Sequence, residues 1–172
     1  MAFCGYRIRQ FWRALTARVR TEEWSLVRGV LSEPAVFLFA GMPRQDQRHG
    51  LDVLYGLRER GADAPELLAA ALLHDVGKSE GVRTRHRVFA VLVRAVHPEW
   101  LDRVASPDPD DWRFPLWLQL RHAQRGADLA EAAGCGAATV QLIHYHEQTE
   151  GAALLPPLDD WLAELQAADG KA

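Results

Sequence analysis

Histidine and aspartate are poor core residues unless they are paired or hold a metal, so those that fall on apolar helical faces carry chemical promise. In LLAAALLHD, His74 follows Ala70 and Ala71 by four and three residues and shares their face. Asp75 stands in the same relation to Ala71 and Leu72. The pair sets a neutral nitrogen ligand beside an oxygen ligand at the end of a very apolar helix, which is hard to bury without a cation. His49 lies on the stripe His49, Val53, Leu57, and Asp169 continues the stripe Leu158, Leu162, Leu165. A carboxylate in the last turn of a helix meets the negative end of the dipole and is disfavoured unless a cation is near. Imidazole and carboxylate together suit Mn, Fe, Ni or Zn better than an all-oxygen Mg site. The expected cofactor is a divalent ion, one or two per chain.

Two more histidines face inward. His122 aligns with Leu118, Gly126 and Leu129, and His146 follows Leu142 and Ile143. His144 lies about 200° away around the same helix and cannot share the target of His146. Lys78, three residues after Asp75 and four after His74, reaches the same face and could place an ammonium against a substrate phosphate. Asp75 and Lys78 are therefore the candidate catalytic residues. Arg83, Arg85 and Arg87 diverge on a helix, so a solvated surface is the plainer reading, with Arg83 kept as a candidate phosphate contact. Glu147 fits a hydrogen-bond partner to a histidine ligand.

The elements that must position these groups are helical nearly throughout. Ala, Leu and Arg dominate, and alternating β-branched runs are absent. Helices are expected over 6–20, from Thr21 as an N-cap, from Pro34 and Pro43 as first helical positions, and from Pro65 to an end at Gly77. His49 falls in the Pro43 helix, which Gly61 stops. Further helices are expected at 84–104, 115–133, 136–149 and 157–168, with SPDPDD at 106–111 as a loop. The tryptophans read as core.

The chain has 172 residues, 48% of them hydrophobic and 25% charged, enough for one well-filled core. A net charge of −3 gives no global basic field, so no nucleic-acid polymer is expected as partner, with room left for a local basic patch. Two cysteines without a C-x-x-C pair suit a reducing compartment, and no apolar run approaches a membrane span. A cytoplasmic protein is expected.

RHGLDVL, LLHDVGK and LQAADG resemble the H…HD…D signature of the HD-domain metal-dependent phosphohydrolase superfamily. The resemblance covers roughly residues 43 to 169. It implies an all-α, single-core helical bundle, with the HD domain at 41–172; the N-terminal stretch lies outside the resemblance and is expected to form accessory helices at 1–40. It implies His49, His74, Asp75 and Asp169 as metal ligands. RHAQRGADLAEAAG and VQLIHYHE resemble the segments that supply second-metal ligands in binuclear relatives, which adds His122 and His146. Tyr145 stands where some relatives have a second histidine, and Gln45 where the three-metal type has a glutamate. No GYP element follows His146-Glu147. These departures argue against a third metal and against cyclic-di-GMP as substrate.

The activity implied is hydrolysis of a small-molecule phosphate ester or anhydride, including nucleotides, by metal-activated water. Two alternatives stand beside it. One is an HD-fold di-iron oxygenase, which uses the same H…HD…H…H…D pattern. The other is a regulatory module that binds metal and nucleotide without turnover.

Overall fold

The computed structural model describes residues 18–78, 104–108, 110–148 and 154–170. The helices expected at 6–20 and 84–104 lie, wholly or nearly so, outside the described residues, as does Arg83. Among the described residues the chain forms seven α-helices and no strand. These are α1 (Thr21–Val30), α2 (Glu33–Gly41), α3 (Arg44–Glu59), α4 (Pro65–Leu73), α5 (Phe114–Ala132), α6 (Ala137–Tyr145) and α7 (Leu158–Asp169). A 3-10 turn, Val76–Lys78, follows α4.

The composition of α4 puts it in the middle. Pro65 opens it where a missing N–H costs nothing, and every residue from Leu67 to Leu73 is buried. A helix that is apolar all round must be enclosed by others. Here α1, α2, α3, α6 and α7 all pack against it. One continuous core results, including Val27 and Phe39 from α1 and α2, Leu51, Leu54 and Leu57 from α3, and Leu142, Ile143 and Leu165 from α6 and α7. The described part of the segment expected to be accessory, 18–40, thus shares this core.

Two polar clamps orient α3. The buried Gln47 side chain donates from Nε2 to the carbonyls of Phe39, Ala40 and Met42 at 3.1, 3.0 and 2.9 Å, satisfying acceptors left open where α2 ends. Glu23 accepts the Arg20 backbone N–H at 2.7 Å, Arg48 Nη1 at 2.7 Å and the Tyr55 hydroxyl at 3.2 Å. This ties the start of α1 to α3 one residue before His49.

Several details depart from expectation. Arg20, not Thr21, holds the cap position of α1, and the Glu23 carboxylate does the capping. Pro43 precedes α3 rather than opening it. Gly61 does end α3, with a φ of 87°. The four described tryptophans are not buried core residues: Trp24 and Trp161 pack half-buried against the edge of the core, Trp117 is half-buried and Trp112 is 71% exposed. Their size makes complete burial difficult in a domain this small.

Candidate metal centre

Two glycine contacts bring the site together. A Cβ on Gly50 would lie 2.9 Å from the Leu72 carbonyl oxygen and 3.2 Å from that of Ala71. The bare glycine therefore lets α3 lie directly on α4, and the ring of His49 comes to 5.1 Å from that of His74. Helix α4 ends at Leu73, so Gly77 is not the helix-ending residue its position suggested. Its φ is not left-handed. A Cβ there would stand 2.0 Å from the His122 carbonyl oxygen and 2.8 Å from the Gly126 nitrogen. Gly77 is required because the turn after His74-Asp75 rests on the backbone of α5.

From these contacts four imidazoles stand in a row. Ring centroids are 5.1 Å apart for His49 and His74, 5.2 Å for His74 and His146, and 5.2 Å for His146 and His122. Three of them are held by the same local device. Nδ1 of His74, His122 and His146 lies 3.0, 2.7 and 2.7 Å from the carbonyl oxygen three residues earlier, in Ala71, Gln119 and Ile143. A carbonyl only accepts, so each Nδ1 carries the proton and each Nε2 presents a lone pair inward.

Those inward nitrogens meet different surroundings. His74 Nε2 is buried with no hydrogen-bond partner. Its nearest carboxylate oxygens are Asp169 Oδ1 at 3.6 Å and Asp75 Oδ1 at 3.7 Å. Nε2 of His122 and of His146 face each other at 3.3 Å, close enough for one proton or one cation to be shared between them, with Asp75 Oδ1 at 3.8 and 3.9 Å. Ligand atoms each about 2.1 Å from one ion lie roughly 3–3.5 Å from one another. The donors fall into two groups that could each hold an ion, His49/His74/Asp169 and Asp75/His122/His146.

Electrostatics prepare the donors. Burial pushes His74 down to about 4 and His122 down to about 3, so both are neutral at pH 7, as a metal ligand must be. Burial would raise Asp75, but Lys78 and the surrounding imidazoles outweigh it and hold the carboxyl well below the usual range. Burial also opposes the charged forms of His49 and Asp169. Their 2.7 Å contact prevails, raising the histidine and lowering the aspartate.

All six ligand candidates from the sequence converge here. Lys78 Nζ lies 2.5 Å from Asp75 Oδ1 and is only 14% exposed, so it is no solvated helix end. His144 is turned away, edge-on to Tyr145. Glu147 approaches His122 at Nε2, 3.5 Å away, rather than at the outer nitrogen where an orienting partner would bind. Sequence reasoning missed Gln166, whose Nε2 donates to the carbonyls of His146 and Gln148 at 3.1 and 2.8 Å. Its place one turn before Asp169 was the available signal.

No family model, curated protein or solved structure matches this chain.

Proposed function

We propose that this chain is an HD-type metal-dependent phosphohydrolase that cleaves the ester or anhydride of a small-molecule phosphate, with nucleotides the first substrates to try. The observation that carries the reading is the buried pair of facing Nε2 atoms on His122 and His146, with Asp75 beside them. A metal ion among these donors would suit that arrangement in a low-dielectric interior, and the two sets of three donor atoms, each within reach of one ion, support it over a shared proton. Mn, Fe, Ni or Zn fits the nitrogen-rich donor set, one or two ions per chain. When bound, such an ion supplies the Lewis acidity that makes water a nucleophile near neutral pH.

The protein's own groups supply the rest. Asp75 Oδ1 faces both donor groups and so fixes their separation. Lys78, held beside it, brings a positive charge to offset that developing on the phosphoryl oxygens. Arg83 is proposed as a further phosphate contact. His49 and Asp169 are the more exposed donors, so substrate would approach the site on their side. Among the described residues no helix is long and apolar enough to cross a membrane, and the cytoplasm is the compartment we propose.

One observation favours a second reading. Each donor group is two imidazoles and one carboxylate, a set that also serves oxygen-activating iron sites. The alternative is a di-iron oxygenase. Anaerobic purification with metal analysis and iron spectroscopy separates the two, alongside a phosphate-ester and nucleotide panel run with several divalent metals. Metal-dependent phosphate release that His74→Ala abolishes supports the hydrolase. Phosphate release unchanged in His74→Ala overturns it, and a coupled di-iron signal without phosphate release moves the assignment to the oxygenase.

A further inference from the structure

The two donor groups are chemically alike but unequally enclosed. The side chains of Asp75, His122 and His146 are 7%, 0% and 3% exposed; in the other group His74 is as buried, at 1%, but His49 and Asp169 are 29% and 35% exposed. Glu147 adds to the difference. Its Oε1 lies 3.5 Å from His122 Nε2, which is the inward nitrogen, because Nδ1 is bound to the Gln119 carbonyl. The carboxylate therefore approaches the inward nitrogen of His122 at about the spacing of two ligands on one ion. It stands outside the Asp75/His122/His146 group, whose donor atoms all lie within 4.8 Å of one another, so joining that group takes a rotation of the exposed Glu147 side chain. Its backbone is held there too. Gln166 reaches across from α7 to the carbonyls of His146 and Gln148, the residues on either side of Glu147. Charge favours the same arrangement. Asp75 is the only carboxylate in its group, and Lys78 already draws on it.

We propose that Glu147 is a fourth donor to the Asp75/His122/His146 site. That inner site is closed by four protein groups and retains its ion. The outer site, His49/His74/Asp169, has three donors and an open side, exchanges its ion and meets the substrate, in the way that closed sites are structural and open ones catalytic. The proposal rests on the metal-dependent reading above in its two-ion form.

The test is metal release from the full chain. The protein is loaded with Zn(II) or Mn(II), its ion content measured, and a chromophoric chelator added. Two equivalents are expected, leaving in two phases separated by about tenfold or more, the factor that one supporting group makes in metal affinity. His49→Ala removes the fast phase. Glu147→Gln, at a residue exposed enough to leave folding intact by circular dichroism, keeps two equivalents but speeds the slow phase by about 10-fold or more, with Glu147→Asp partly restoring it. A slow phase unchanged in Glu147→Gln overturns the fourth donor. Two ions leaving at one rate overturn the inequality of the sites. Fewer than two equivalents in the unmodified protein overturns the two-ion reading itself, and this proposal with it.

Discussion

Gly77 and His122 meet backbone to backbone, so closely that a methyl group on Gly77 would stand 2.0 Å from the His122 carbonyl oxygen. The glycine two residues after Asp75 is thus what lets an aspartate on one element share a site with a histidine on another. Gly77→Ala must push the turn off α5. The expected loss is about 3 kcal/mol, the upper range for overpacking, read as a lower midpoint of denaturant unfolding. Separation of Asp75 from His122 and His146 should also cost the variant one bound ion. A variant as stable as the parent, with full metal content, counts against this account of the contact.

Metal should stabilise the fold, because the donors converge only in the native state. At a free ion concentration 100 times Kd the gain is about 2.7 kcal/mol for one site. Asp75→Asn, which keeps the shape but loses the charge facing both donor groups, is expected to abolish most of the metal-dependent rise in Tm. Thermal unfolding with and without Zn(II) measures it.

Lys78 has two consequences of opposite sign. In the metal-free protein it partners a buried carboxylate, so Lys78→Met should lower stability by about 1.5–3 kcal/mol, the worth of a charged hydrogen bond. An ion competes with that ammonium for Asp75, so the variant should bind metal at least as tightly as the parent. Turnover of a phosphate substrate should nonetheless fall about 100-fold, as for loss of one group that stabilises transition-state charge. Weaker metal binding in Lys78→Met is the result that contradicts this.

Acid should unfold the metal-free protein earlier than its carboxylates alone would suggest. His74 and His122 take up protons below pH 6.5 when unfolded, but not until about 4 and about 3 when folded. Stability therefore falls as pH drops from 6.5 to 4, by up to about 1.4 kcal/mol per pH unit for each of the two. His49 does not offset the slope. Its pKa is raised on folding, so its contribution is fully present below 6.5 and is lost only as pH rises through its folded value. The lowered pKa values of Asp75 and Asp169 remove stability further down the acid range, with the same sign. Urea midpoints across pH 4 to 7 test the slope, and His122→Gln should reduce it.

Gln166→Leu deletes the amide that joins α7 to the end of α6. Two carbonyls lose a partner that water can partly replace, so the stability cost should be modest, about 1 kcal/mol. The effect on metal should be larger, a roughly 10- to 100-fold weaker inner site, as for other groups that orient ligands from behind. Calorimetric titration with Zn(II) reads the two affinities separately.

Much of the site was legible from periodicity alone. Helical spacing placed His49, His74, Asp75, His122, His146 and Asp169 on inward faces and turned His144 away, because i, i+3 and i+4 relations fix which side chains share a side whatever the helix packs against. The all-helical class followed for the same reason. Spacing has no access to distances between helices, however. It read Gly77 as a helix stop when its role is contact with α5, and it read Glu147 as an outer partner when the carboxylate approaches the inward nitrogen of His122. It also missed Gln166, whose partners lie 18 and 20 residues earlier, in the turn that follows α6. The division into two donor groups, one enclosed and one open, came from tertiary packing, since burial depends on how α3, α5, α6 and α7 close around the end of α4.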